Sequence, residues 1–151
     1  MLRLSKKLMF AVEAVLDIAY NAGDQPVQSA EITRRQGIPR RYLEQVLQQL
    51  VRDGILSGMR GPRGGYRLAR ERRLITVGEI VRVIQAMETA GDPIADPAGS
   101  ELGRSVVRPM WQEVHDECMA RLDRVTVDDL CRRAREAGID REGSAVPDYS
   151  I

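Results

Sequence analysis

The chain is poor in the residues that build most catalytic and metal centres: among its 151 residues are two cysteines, Cys118 and Cys131, one histidine, His115, one tryptophan and one phenylalanine. Two cysteines without C-x-x-C spacing exclude a disulfide scaffold and a closed cysteine-rich zinc site. With a single histidine, a catalytic triad or a multi-histidine metal site lacks its usual parts. No apolar run approaches the roughly 18 residues of a membrane span. Glu13 interrupts "MLRLSKKLMFAVEAV" where a secretory signal needs an unbroken apolar stretch. The expectation is a cytoplasmic protein with no membrane partner.

What is present is ordinary globular material, 43% hydrophobic and 30% charged. The net charge of +1 hides a split: residues 1–87 carry 15 Lys and Arg against 8 Asp and Glu, and residues 88–151 carry 8 against 14. A part at +7 beside a part at −6 suits a basic portion that meets a polyanion and an acidic portion with another task.

Apolar residues at three- and four-residue spacings over residues 5–22 predict an amphipathic first helix, which "NAGDQPVQ" breaks. Ser29 is placed to cap a short second helix that stops at Gly37. After Ile38, Pro39 opens a third helix ending near Gly54, with Leu43, Val46, Leu47, Leu50 and Val51 as its inward stripe. The outward set near its front is Arg40, Arg41, Tyr42, Glu44, Gln45 and Gln48. These side-chain types read base edges and phosphates. Two short helices joined through a glycine turn fit a helix-turn-helix.

The next two short runs, "ILSGM" and "GYRLA", read as strands joined by "RGPRG". A hairpin in this place is the wing of a winged helix. Glycine and proline make a narrow tip, and arginines there, Arg60 and Arg63, are placed for phosphates or the minor groove. Thr76 and Glu79 form a capping box opening a helix to about Met87.

"TAGDPIADPAGS", residues 89–100, reads as a loop. Beyond it Val107, Met110, Trp111, Val114, Cys118 and Leu122 form a helical stripe, with Pro109 either marking the helix start near Arg108 or kinking it. Such a stripe outside a compact domain needs a partner surface, in a symmetric protein usually its own copy. Thr126 and Asp129 cap a last helix to about Ala137. The expected fold is mainly α with a small β-hairpin wing: a winged helix-turn-helix over 1–88, a linker over 89–102, a dimerisation helix and short follow-on helix over 103–138, and a flexible tail over 139–151.

The stretch "GIPRRYLEQVLQQLVRDGILSGMRGPRGGYRLAR" resembles the Rrf2 family of bacterial transcription regulators, the IscR, NsrR and CymR type. The similarity extends through "RLSKKLMFAVEAVLDIA", "ITVGEIVRVI" and "MWQEVHDECMARLDRVTVDDL", about residues 1–137. The resemblance implies a homodimeric repressor or dual regulator on a partly palindromic double-stranded DNA operator. It implies Tyr42 and Glu44 at the DNA surface, flanked by Arg40 and Arg41, and Arg60 as the wing arginine of the minor groove. Many such regulators hold an iron–sulfur cluster on three cysteines ahead of the dimer helix. Here that region has no cysteine, and by position Ser105 and Arg108 stand where the third cysteine and a histidine would be. Hydroxyl and guanidinium do not replace thiolate and imidazole as iron ligands.

His115 and Cys118, three residues apart, share a helix face and are the two donors an atypical cluster or metal site would use. Against this, Cys118 lies on the apolar stripe, where a free cysteine is packing material, and Cys131 is expected to pack too. No cofactor is expected; the iron–sulfur reading with unusual ligands, a redox thiol, and a small-molecule or protein co-effector are alternatives for sensing. A nucleotide-binding enzyme is excluded because "RGPRGG" lacks the Gly-Lys-Ser/Thr ending and leads into a strand. An adaptor that keeps the winged fold but binds only protein is one remaining competitor, and an RNA-binding winged helix is another.

Overall fold

A computed structural model of the chain describes residues 3–88 and 93–142. Helix α1, Lys6–Tyr20, opens on Ser5, whose hydroxyl accepts the Leu8 N–H at 3.2 Å. Its Leu8, Ala11, Val15 and Ile18 are buried, and four of the helices that follow pack on it. Helix α2, Ser29–Gln36, starts one residue earlier than the serine-cap expectation, because the Glu31 carboxylate reaches back to accept the Gln28 N–H at 2.8 Å. Gly37, at φ 66°, closes it in the left-handed region that a side chain would strain. Pro39 caps α3, Arg40–Arg52, and Leu43, Val46, Leu47 and Leu50 face α1 and α2 as the periodicity predicts.

The wing follows as β1, Leu56–Met59, and β2, Gly65–Leu68, antiparallel with Leu56 opposite Leu68 and Met59 opposite Gly65. β2 is pinned on its other edge by Val27, which exchanges backbone bonds of 2.9 and 2.8 Å with Tyr66. A 3₁₀ turn, Arg72–Leu74, leads to α4, Val77–Met87, opened by the Thr76–Glu79 capping box.

The α-helix proper starts at Arg108 with Pro109 in its first turn, as one of the two expectations has it, but other helical backbone precedes it. Helix begins at residue 101, and Ser100 caps it by accepting the Gly103 N–H at 3.1 Å. A π-helical turn, Gly103–Val107, then runs directly into α5, Arg108–Asp123. The widened turn bonds the Arg108 N–H to the carbonyl of Gly103, five residues back. That geometry makes room for a proline that has no N–H and would crowd the carbonyl four residues before it.

Helix α6, Val127–Glu136, packs against α1 and the 3₁₀ turn. Val77 N–H bonds Val125 C=O at 2.8 Å and Val127 N–H bonds Ile75 C=O at 2.9 Å, while Val127 and Cys131 join the core. Residues 139–142, expected in the loose tail, are docked. Tyr20 donates to the Ile139 carbonyl, and Arg141 donates to the carbonyls of Tyr20 and Ala22 at 2.8 and 2.7 Å. Glu142 accepts from Arg34 at 2.8 Å and from Arg35. The remainder of that tail and residues 89–92 of the expected loop lie outside the described residues. Among the described residues no helix is long and apolar enough to cross a membrane.

One buried polar group organises the helix-turn-helix. Asp17 accepts from Arg35 at 2.9 and 2.8 Å and from Gln36 Nε2 at 2.7 Å, tying α1 to the end of α2. A carboxylate so placed is tolerated only because its charge and its lone pairs are met.

Candidate nucleic-acid interface

With its apolar stripe turned inward, α3 presents Arg40, Arg41, Glu44, Gln45 and Gln48 to solvent. Arg40 Nε donates to Glu44 at 2.9 Å, so Glu44 has a partner on its own helix; both side chains remain largely exposed, and such a pair is weak. Tyr42 is half-buried, its ring centroid 6.1 Å from that of Phe10 on α1. The Arg41 guanidinium lies 5.0 Å from the Tyr42 centroid and also donates to its hydroxyl at 3.3 Å. Tyr42 is therefore an anchored pedestal that orients Arg41. Periodicity could not show the part of Phe10, because the contact joins two helices.

The four arginines around the wing divide into two kinds. Arg67 donates to the carbonyls of Gly23 and Asp24, and Arg70 pairs with Glu79 at 3.1 Å; both fasten the wing's base. Arg60 and Arg63, at the tip, are exposed, and neither makes an ion pair among the described residues. The tip needs its glycines for close approach: a Cβ on Gly64 would sit 2.3 Å from the Met59 carbonyl oxygen, and one on Gly65 2.5 Å from that of Val27. Gln28 Nε2 reaches the Pro62 carbonyl at 3.4 Å. The first turn of α2 and the wing residues Arg60, Gly61 and Gly64 thus line one groove of about 600 Å³. Backbone N–H groups at a helix start beside an arginine favour a phosphate.

The expected interface helix carries an uncovered apolar row. Val107, Met110, Trp111 and Val114 are exposed, Trp111 by 44%, and Leu102 and Val106 lengthen the row beyond the expected set. Leu122 departs from it: it is half-buried against the chain's own core beside Met119, where α5 crosses α4 and Arg82 pairs with Asp123 through two bonds of 2.7 Å. Cys118 is exposed within the chain, so it does not pack in the core. Cys131 is fully buried, and burial pushes its thiol above the ordinary value, away from reactive thiolate.

At the front of α5, Arg108 donates to the carbonyls of Asp96 and Ala98, and Arg104 to that of Gly99. Ser105 Oγ donates to Glu101 at 2.6 Å. The two guanidiniums hold the loop to the helix, and the Ser105 hydroxyl bonds within the helix itself.

Comparison with known proteins matches residues 4–133 to the family Rrf2, described as an iron-dependent transcriptional regulator. The chain is 34% identical over 130 residues to the HTH-type transcriptional regulator IscR of Escherichia coli O1:K1, covering 85% of this chain and 80% of that one. Its fold is similar to that of T. potens IscR, with a TM-score of 0.72, 34% identity and 93% of each chain covered. It is also similar to CymR, the global cysteine regulator of B. subtilis, with a TM-score of 0.71, 28% identity, and 88% of this chain and 98% of that one covered.

The residues present do not fit iron. Cys118 lies exposed on α5 and Cys131 in the core on α6, and no group of three or more His, Cys, Asp or Glu among the described residues could hold a metal. Residues outside the described set add Asp92 and Asp148 but no cysteine or histidine. Ser105 and Arg108 are bonded elsewhere and are not iron ligands in kind.

Proposed function

Because the chain belongs to the Rrf2 family of transcriptional regulators, we propose that it is a homodimeric, sequence-specific DNA-binding repressor of the cytoplasm, with α3 in the major groove and the wing at the minor groove. It is a regulator and not an enzyme, as its relatives are. The observation that carries the proposal is the division among the arginines. Arg35, Arg67, Arg70 and Arg82 bind groups of the chain itself, whereas Arg60 and Arg63 stand open at the wing tip beside the α2 groove.

The two elements have separate tasks in this reading. Arg60 and Arg63 neutralise phosphates and supply affinity that falls with salt. Glu44 accepts from a cytosine amino group, opening its exposed pair with Arg40 at a cost of about 0.5 kcal/mol or less. The uncovered row on α5 meets the same row of a second copy, which spaces two α3 helices for two half-sites. No step of regulation is assigned to iron, since the donor set does not fit it.

The test is fluorescence anisotropy on the selected operator and on random duplex at several salt concentrations. Arg60→Ala is expected to weaken both and lower the salt slope by about 1, and Glu44→Ala to relax one base position by about 1–3 kcal/mol. Equal losses from both variants on both duplexes would sink the assigned roles. A wild-type chain that binds neither duplex would support the protein-only adaptor.

A further inference from the structure

We propose that the crevice between α1, β2, the 3₁₀ turn and α6 is a binding site for a small anion with an apolar body, held by the Arg67 guanidinium. Its volume is about 580 Å³, within the roughly 300–1,000 Å³ typical of small-molecule sites. The floor is apolar, made of Ile18, Ala19, Val27, Tyr66 and Leu68. The rim is basic: Arg67, Arg70, Arg72 and Arg73 against Glu71 and Asp128, four positive charges to two negative.

Three of those arginines already have carboxylate partners: Arg70 with Glu79 at 3.1 Å, Arg72 with Asp128 at 2.9 Å, and Arg73 with Glu71 at 2.6 Å. Arg67 differs. Its two terminal nitrogens donate to the carbonyls of Gly23 and Asp24, neutral acceptors that fix the guanidinium without cancelling its charge. A fixed, uncompensated cation at the edge of an apolar crevice selects a carboxylate, sulfonate or phosphate on a ring-sized apolar body, with the ordering of its own side chain already done.

The crevice also shares a wall with the wing. Val27 and Tyr66, two of its floor residues, are the bridge that pins β2, and Arg67 is the second fastening on the same strand. A ligand here therefore bears on both attachments of the hairpin that carries Arg60 and Arg63. That consequence for operator binding rests on the proposed function; occupancy of the crevice does not.

The test titrates the full chain with anilinonaphthalene sulfonate and with neutral phenylnaphthylamine. The sulfonate is expected to bind saturably at one per chain, about tenfold or more weaker in Arg67→Gln, while the neutral probe is little changed by that variant. Ala22→Trp, at an exposed position lining the crevice, is expected to abolish binding of both, and this arm stands even if Arg67→Gln does not fold. Binding that survives Ala22→Trp would overturn the site. A sulfonate affinity untouched in folded Arg67→Gln would overturn the anion preference. Probe binding is read without DNA, so a chain that fails on every duplex counts against the proposed function and leaves this assignment standing.

Discussion

Helices α1 and α5 are nearly the same length, 15 and 16 residues, yet α1 buries eight of its residues and α5 buries one, Met119. α1 is surrounded by elements of its own chain, so its apolar face is complete. α5 touches the chain mainly where Met119 and Leu122 meet α4, and the row from Leu102 to Val114 is left in water. The lesson is that apolar periodicity measures a need for cover and says nothing about which molecule supplies it.

The comparison can be broken most directly at α5. Trp111→Glu is expected to raise the dimer dissociation constant by about 100-fold or more, read by sedimentation velocity, as loss of a buried aromatic anchor does. A wild-type chain that sediments as a monomer at micromolar concentration would remove the second copy as the cover. The matching break in α1 is Asp17→Ala, which leaves Arg35 and Gln36 without their buried acceptor. It is expected to cost about 3–5 kcal/mol in urea unfolding, with the dimer interface itself unaltered. Thr126→Ala, at the start of the helix that returns to α1, is expected to cost about 1 kcal/mol through loss of its cap on Asp129 N–H.

The smallest effect sharpens the picture at the edge of the α1 domain. Arg34 and Arg35 hold the Glu142 carboxyl down at about 2, from an ordinary 4.5. A depressed carboxyl stabilises the docked tail fully above its ordinary pKa and loses that contribution as pH falls through the docked value. Amide exchange around residues 139–142 should therefore rise as pH drops from about 4.5 toward 2, after correction for intrinsic rates, and Glu142→Gln should flatten the dependence.

Much of this architecture was legible from local signals. The Thr76–Glu79 and Thr126–Asp129 boxes, the α3 stripe and the wing all formed where spacing placed them, since each depends on residues within a few positions of one another. What escaped was non-local. Asp17 and Arg35 meet across 18 residues, and Glu142 meets Arg34 across 108, distances at which no periodicity survives. Cys118 and Leu122 share one stripe, yet one faces water and the other the core, because α5 leaves the domain partway along its length. At the candidate interface the residue types on α3 and the four-residue spacing that pairs Arg40 with Glu44 were readable, but the division of the wing arginines into fasteners and open charges depends on contacts made across the fold.

Two backbone bonds join Ile75 and Val77, at the front of α4, to Val125 and Val127, so the C-terminal end of α5 re-enters the core at one pinch. In mechanical terms α5 is a lever whose fulcrum lies beside the 3₁₀ turn that follows the wing. From the Trp111 end toward that fulcrum α5 is one continuous helix. In the proposed dimer, rotation of one copy against the other would be carried along that helix to the base of the hairpin bearing Arg60.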